Sequence, residues 1–112
     1  MKEAFEFERL FREATAEAFL IAKDHGFHER DIDDGRILCL IHSEISEALE
    51  ALRKRNPPDE HCPAYSSLEV ELADAVIRIM DFAGLRGLDV AGAIRAKMEY
   101  NKTRDCKHGK KF

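Results

Sequence analysis

The sequence predicts an all-α protein, a single domain over residues 1–112 built as a four-helix, bundle-like protomer. Four segments repeat apolar residues at three- and four-residue steps, and none alternates strictly as a half-buried strand does. The connectors between them are short and place Gly, Pro, Ser or Asp where helices start and stop. A chain of 112 residues has room for one core and not two.

The first helix runs from about Lys2 to His25 and stops at Gly26, with Phe7, Leu10, Phe11, Ala14, Ala18, Ile21 and Ala22 on one face. A polar connector, FHERDIDD, follows. The second helix runs from about Gly35 to Arg55 behind an N-cap at Asp33 or Asp34, and Arg53, Lys54 and Arg55 suit its negative end. Asn56-Pro57-Pro58-Asp59 breaks the chain and opens a loop through Tyr65, the segment expected to be most mobile. Ser66 and Glu69 form a capping-box pattern for a third helix from Ser67 to Ala83 or Leu85, punctuated by Gly84 and Gly87. Asp89 caps a fourth helix from Val90 to about Arg104, after which DCKHGKKF trails off.

Composition excludes several classes. The longest apolar runs are five residues, Ala18–Ala22 and Ile37–Ile41, so no segment is expected to span a membrane. The first twenty residues carry five glutamates and no small-residue cleavage site, unlike a secretory signal. Three scattered cysteines do not make a disulfide framework, and a reducing cytoplasm is the expected location. The net charge of −4 argues against general nucleic-acid binding, but it averages two unlike parts. Residues 1–94 hold 11 Lys/Arg against 20 Asp/Glu, whereas residues 95–112 hold seven against two.

Certain of these acids lie where solvent should not be. On the second helix Glu44 falls inside the apolar arc and Glu47 at its border, while Glu50 points away toward Arg53 and Lys54. The third helix is apolar nearly all round, and its polar strip is Glu71, Asp74, Arg78 and Asp81. Carboxylates confined near one another need compensation. Arg78 paired with Glu71 or Asp74 is one source. A divalent cation held by Glu44, Glu47, Glu71 and Asp74 is the other, and the preferred one, because a single arginine cannot neutralise all four. All-oxygen ligation favours Mg²⁺, Mn²⁺ or Ca²⁺ over Zn²⁺. Cys39-x-x-His42 and His61-Cys62 are weak zinc candidates, and no Glu-x-x-His pair, phosphate-binding Gly loop or Gly-x-Ser-x-Gly is present.

On the fourth helix Lys97, Asn101 and Arg104 lie on or beside the Val90–Ile94–Met98 stripe. They suit phosphate oxygens, although basic residues also favour any helix C-terminus. Carboxylates for a cation together with cations for phosphate read as a site for a polyphosphate.

Glu44-Ile-Ser-Glu47, then 23 residues, then Glu71-Leu-Ala-Asp74 resembles the ExxE…ExxD signature of the MazG-like all-α NTP pyrophosphohydrolases. HSEISEALEALR, ELADAVIRIMDFA and KMEYNKTRDCKHGKKF extend the resemblance over about residues 35 to 112. It implies Mg²⁺-dependent hydrolysis of a nucleoside triphosphate, canonical or modified, between the α and β phosphates, with Mn²⁺ as an alternative metal. Glu44, Glu47, Glu71 and Asp74 would be the metal ligands. Lys97, Asn101 and Arg104 would contact phosphates. Glu47 is assigned as the general base, although spacing alone does not single it out among the four. A homo-oligomer, a dimer or a dimer of dimers, is expected both from the resemblance and because four helices cannot cover Val70, Ile77 and the broad face of the third helix together. The rival reading is a non-catalytic helical module that binds nucleotide or protein.

Overall fold

The computed structural model describes residues 2–29 and 33–111, with residues 2–5, 108 and 109 described by backbone alone. Residues 30–32 of the expected polar connector and Phe112 of the expected trailing end lie outside the described residues. Four α-helices are present, α1 (Lys2–Asp24), α2 (Asp34–Arg53), α3 (Ser67–Arg86) and α4 (Val90–Lys102). Among the described residues there is no strand, only an isolated bridge between Pro58 and Ser66. No helix among them is long and apolar enough to cross a membrane.

The helix ends follow the capping chemistry of the sequence. Gly26 takes a left-handed backbone (φ 83°) after α1, and the Phe27 N–H returns to the Ala22 carbonyl at 3.0 Å. Asp33 rather than Asp34 caps α2, accepting from the Arg36 N–H at 2.9 Å. The helix then ends two residues earlier than expected, because Arg55 and Asn56 adopt positive φ. Ser66 and Glu69 form the full capping box of α3. Gly84 does not interrupt α3, which continues to Arg86 and ends on left-handed Gly87. Gly84 instead permits close packing, since a Cβ there would lie 2.9 Å from the Phe19 Cβ on α1. Asp89 caps α4 through the Gly92 N–H. The tail forms a short 3₁₀ turn, Cys106–Gly109, rather than trailing off.

The loop expected to be mobile is tied down instead. The Ser67 N–H and hydroxyl both donate to the Pro57 carbonyl at 2.8 Å. The Asn56 side chain accepts from the Leu68 N–H, and Asp59 accepts from the His61 and Cys62 N–H groups. These bonds fix residues 56–67 across the start of α3.

Helix α3 is central: it packs against α2 on one flank and α1 on the other, and α4 packs on α1. The extensive contacts therefore run in a chain, α2–α3–α1–α4, and a layer so arranged leaves large faces uncovered. Among the described residues the buried ones are all alanines: Ala18, Ala48, Ala51, Ala75, Ala83 and Ala91. The chain exposes 8868 Å², where a compact monomer of its mass exposes about 6,300 Å². Its radius of gyration is 16.3 Å, against about 13 Å for a compact domain of this length. Leu38, Ile45, Leu49 and Leu52 form an exposed stripe along α2, and Leu72 and Val76 of α3 are exposed as well. Ile77, expected to need a covering subunit, lines a cavity between α1 and α3 and remains 49% exposed within the chain, and Val70 is partly covered.

Candidate metal and anion site

The face of α2 that meets α3 is made of small residues, with Ala48 and Ala51 buried. Helical phase puts Glu44 on that same face one turn before Ala48, and its side chain is only 13% exposed. Glu71 and Asp74 sit one turn apart on α3 opposite it, and both are half-buried. Small side chains let the two backbones approach, and three carboxylates converge. One oxygen from each of Glu44, Glu71 and Asp74 can be chosen so that all lie within 4.8 Å of one another.

Two of these acids, Glu71 and Asp74, hold their protons more tightly than isolated acids do. The Glu71 carboxyl is raised above the ordinary glutamate value, first by burial and then by a hydrogen bond shared with Glu44 and by the charges of Asp74, Glu44 and Glu47. Asp74 is raised as well, by burial first and then by Glu44, with Arg78 opposing the shift and Asp59 adding to it. Arg78 donates from Nε to Glu44 Oε1 at 2.8 Å. The sequence offers Glu71 or Asp74, on its own helix, as partners of this arginine in the alternative to a metal site. Its primary partner is across the groove, because Glu44 projects from α2 toward α3.

Glu47 has a different position from the other three. It is exposed and lines a cleft of about 340 Å³ with Glu71, Glu50, Lys54 and Asp59. Glu44 and Asp74 open instead into a larger cavity of about 550 Å³ between α1 and α3. The triad thus stands between two depressions, with Glu47 on the far side. Glu50 lies 4.0 Å from both Arg53 and Lys54, the solvated arrangement expected of it.

Asp59 is an acidic neighbour of Asp74 that the sequence did not single out. It sits in an irregular loop after two prolines, where periodicity gives no phase, and only its closeness in sequence to the start of α3 could have marked it.

The basic residues of α4 gather separately. Lys97 and Arg104 both lie over the Tyr100 ring, at 4.8 and 5.3 Å from its centroid. The Asn101 side-chain oxygen is buried with no hydrogen-bond partner. None of the three lines the cavity that receives Glu44 and Asp74, and the extensive contact of α4 is with α1.

An all-oxygen donor set of carboxylates fits a hard divalent cation such as Mg²⁺ or Mn²⁺, with positions left for water or a ligand's oxygens. The chain's own compensation consists of one guanidinium and the raised proton affinities of Glu71 and Asp74. A divalent ion supplies more charge to the same point than Arg78 does. No family model, curated protein or solved structure matches this chain.

Proposed function

We propose that this chain is a Mg²⁺-dependent nucleoside triphosphate pyrophosphohydrolase that releases a nucleoside monophosphate and pyrophosphate, with Mn²⁺ able to replace Mg²⁺. The observation that carries this reading is the meeting of Glu44, Glu71 and Asp74 from two helices, with Glu44 and Asp74 lining a ligand-sized cavity. Those three carboxylates hold the cation, and Glu47 faces the same centre from the outer cleft. When bound, the cation neutralises phosphate oxygens and acidifies a water for in-line attack. Glu47 is exposed and free of a cross-helix ion pair among the described residues, so it is placed as the proton acceptor for that water. Arg78 leaves Glu44 and turns its guanidinium to a phosphate oxygen. Lys97, Asn101 and Arg104 hold the remaining phosphate charge.

The reading includes a homo-oligomer, a dimer or a dimer of dimers. The excess of about 2,600 Å² over a compact monomer is the area per chain that large obligate interfaces bury. The α2 stripe is the surface a second copy covers. Light scattering is expected to give at least a dimer at micromolar concentration, and Leu49→Glu is expected to give monomers. The three exposed free cysteines suit a reducing, cytoplasmic setting, and neither nucleic acid nor a membrane is among the partners proposed.

The deciding experiment mixes the protein with canonical and modified NTPs and dNTPs, with and without EDTA, and assays pyrophosphate. Metal-dependent release supports the reading, and no release from any of them removes it. A non-catalytic nucleotide- or protein-binding module is the second reading. Its support is the Arg78–Glu44 pair, which compensates Glu44 without a metal.

A further inference from the structure

The cavity that begins at Glu44 and Asp74 continues along α3 to a second polar group, Asp81. Seven helical steps take Asp74 to Asp81, a rise of about 10 Å, which is the length of a nucleoside from its phosphate to the far edge of its base. Between them the walls are mainly apolar, with Ala18 and Ile21 of α1 and Ile77 and Met80 of α3, and Arg78 and Glu17 are the charged residues that also line the cavity. Phe27 stands at the same cavity and is 62% exposed, an aromatic face open to a flat partner.

Asp81 is held from behind. His28 lies at 2.8 Å from Asp81 Oδ1 through Nε2, and the two side chains are 13% and 24% exposed. An ionised carboxylate only accepts, so the imidazole Nε2–H is the donor. The His28 ring is in turn packed on Phe19, with centroids 4.8 Å apart. This arrangement engages one oxygen of Asp81; the carboxylate lines the cavity with lone pairs to spare, and among the described residues no lysine or arginine pairs with it. Such a group favours a ligand edge that offers two N–H donors side by side. Guanine has that edge, a ring N–H beside its amino group. Adenine and cytosine place an acceptor nitrogen beside the amino group, and uracil flanks its N–H with carbonyl oxygens that the carboxylate repels.

We infer that this cavity is a base-recognition site selective for guanine-type purines, with Asp81 the specificity-determining residue and His28 the residue that positions it. The inference rests on the nucleotide reading above and names the substrate class of that site.

The test titrates the full chain, in Mg²⁺, with GMP, IMP, AMP, CMP and UMP by calorimetry. GMP is expected to bind tightest, with IMP, which lacks the amino donor, about tenfold weaker and the other three weaker still. Asp81→Asn is expected to bring GMP down to the level of the others and to leave UMP unchanged. His28→Gln, which still donates to Asp81, is expected to keep the preference, whereas His28→Ala reduces it; this pair carries the test if Asp81→Asn does not fold. Equal binding of all five nucleotides, or a preference for GMP that survives Asp81→Asn, overturns the inference. Pyrophosphate release from the matching triphosphates separates the two levels. Release from all of them at equal kcat/KM removes the guanine preference and keeps the hydrolase. Asp81-dependent binding of GMP with no release from any triphosphate removes the hydrolase and keeps the base site.

Discussion

The acidic seam between α2 and α3 and the basic end of α4 are both charged, but only one is assembled within the chain. The seam draws Glu44 from one helix and Glu71, Asp74 and Arg78 from another, and packing of Ala48 and Ala51 forces them together. The basic end draws Lys97, Asn101 and Arg104 from a single short helix and its exit, folded around Tyr100 with α1 as the main neighbour. The difference is one of cost. Converging carboxylates raise one another's proton affinity and demand a counter-charge, whereas cations on a helix end remain hydrated and close to neutral in stability. The seam is therefore where a bound cation has the most to contribute, and the α4 end is where, in the proposed function, substrate charge would be recruited.

The largest expected effect lies in the seam. Glu44→Gln and Asp74→Asn should each lower kcat/KM for pyrophosphate release at least about a hundredfold, since a bound metal contributes several kcal/mol to such a transition state. Glu47→Gln should lower kcat to a similar extent while leaving metal affinity nearly intact, because Glu47 stands outside the triad. Parallel loss of metal affinity in Glu47→Gln would return it to the ligand set.

The α4 end should respond differently. Lys97→Ala and Arg104→Ala are expected to raise KM about tenfold with metal affinity unchanged, as each removes one charged contact to phosphate. Steady-state kinetics beside a metal titration checks this. A fall in metal affinity would mean that the two regions are coupled.

The phase of the helices made much of this legible. Glu44 on an apolar arc, and Glu71 and Asp74 on the narrow polar strip of α3, follow from 100° per residue, and the structure places all three together. The caps at Ser66 and Asp89 were equally readable, and that of α2 to within one residue, because capping is local chemistry. What crosses between helices was not. Arg78 reaches Glu44 rather than its neighbours on α3, and His28 reaches Asp81 across 53 residues, from a turn with no periodicity to orient it. The loop at 56–67 was expected to move, yet its Asn, Asp and Ser side chains satisfy backbone groups that no spacing rule anticipates. Nor does periodicity tell a buried apolar stripe from an exposed one: that of α2 is exposed because α2 makes its extensive contacts with α3 alone.

A smaller effect is expected at Arg78. Arg78→Met removes the counter-charge of Glu44 and should lower the stability of the metal-free protein by about 1–2 kcal/mol, read from urea unfolding. The same variant should bind Mn²⁺ several-fold more tightly, because the guanidinium no longer competes for Glu44. Unchanged metal affinity would show that Arg78 and the cation do not share that carboxylate.

The smallest effect is on pH dependence. Glu71 and Asp74 are raised in the folded chain, so above the ordinary carboxylate range the fold retains protons that the unfolded chain has released. Stability of the metal-free protein should fall as pH rises through the raised values. A divalent ion competes with those protons, so the increase in Tm on adding Mg²⁺ should be larger at pH 7 than at pH 5. Exposed Glu69, Asp89 and Glu99 are lowered and act in the opposite sense, losing their contribution as pH falls below the ordinary range. An equal Tm shift at both pH values would contradict the assignment.

The central claim, that the seam holds a divalent cation, is tested most directly by titrating the metal-free protein with Mn²⁺ and following free ion by electron paramagnetic resonance. One saturable site or more per chain, abolished by Asp74→Asn and retained in Lys97→Ala, is the expected result. Absence of saturable binding, or binding that Asp74→Asn leaves unchanged, would contradict it.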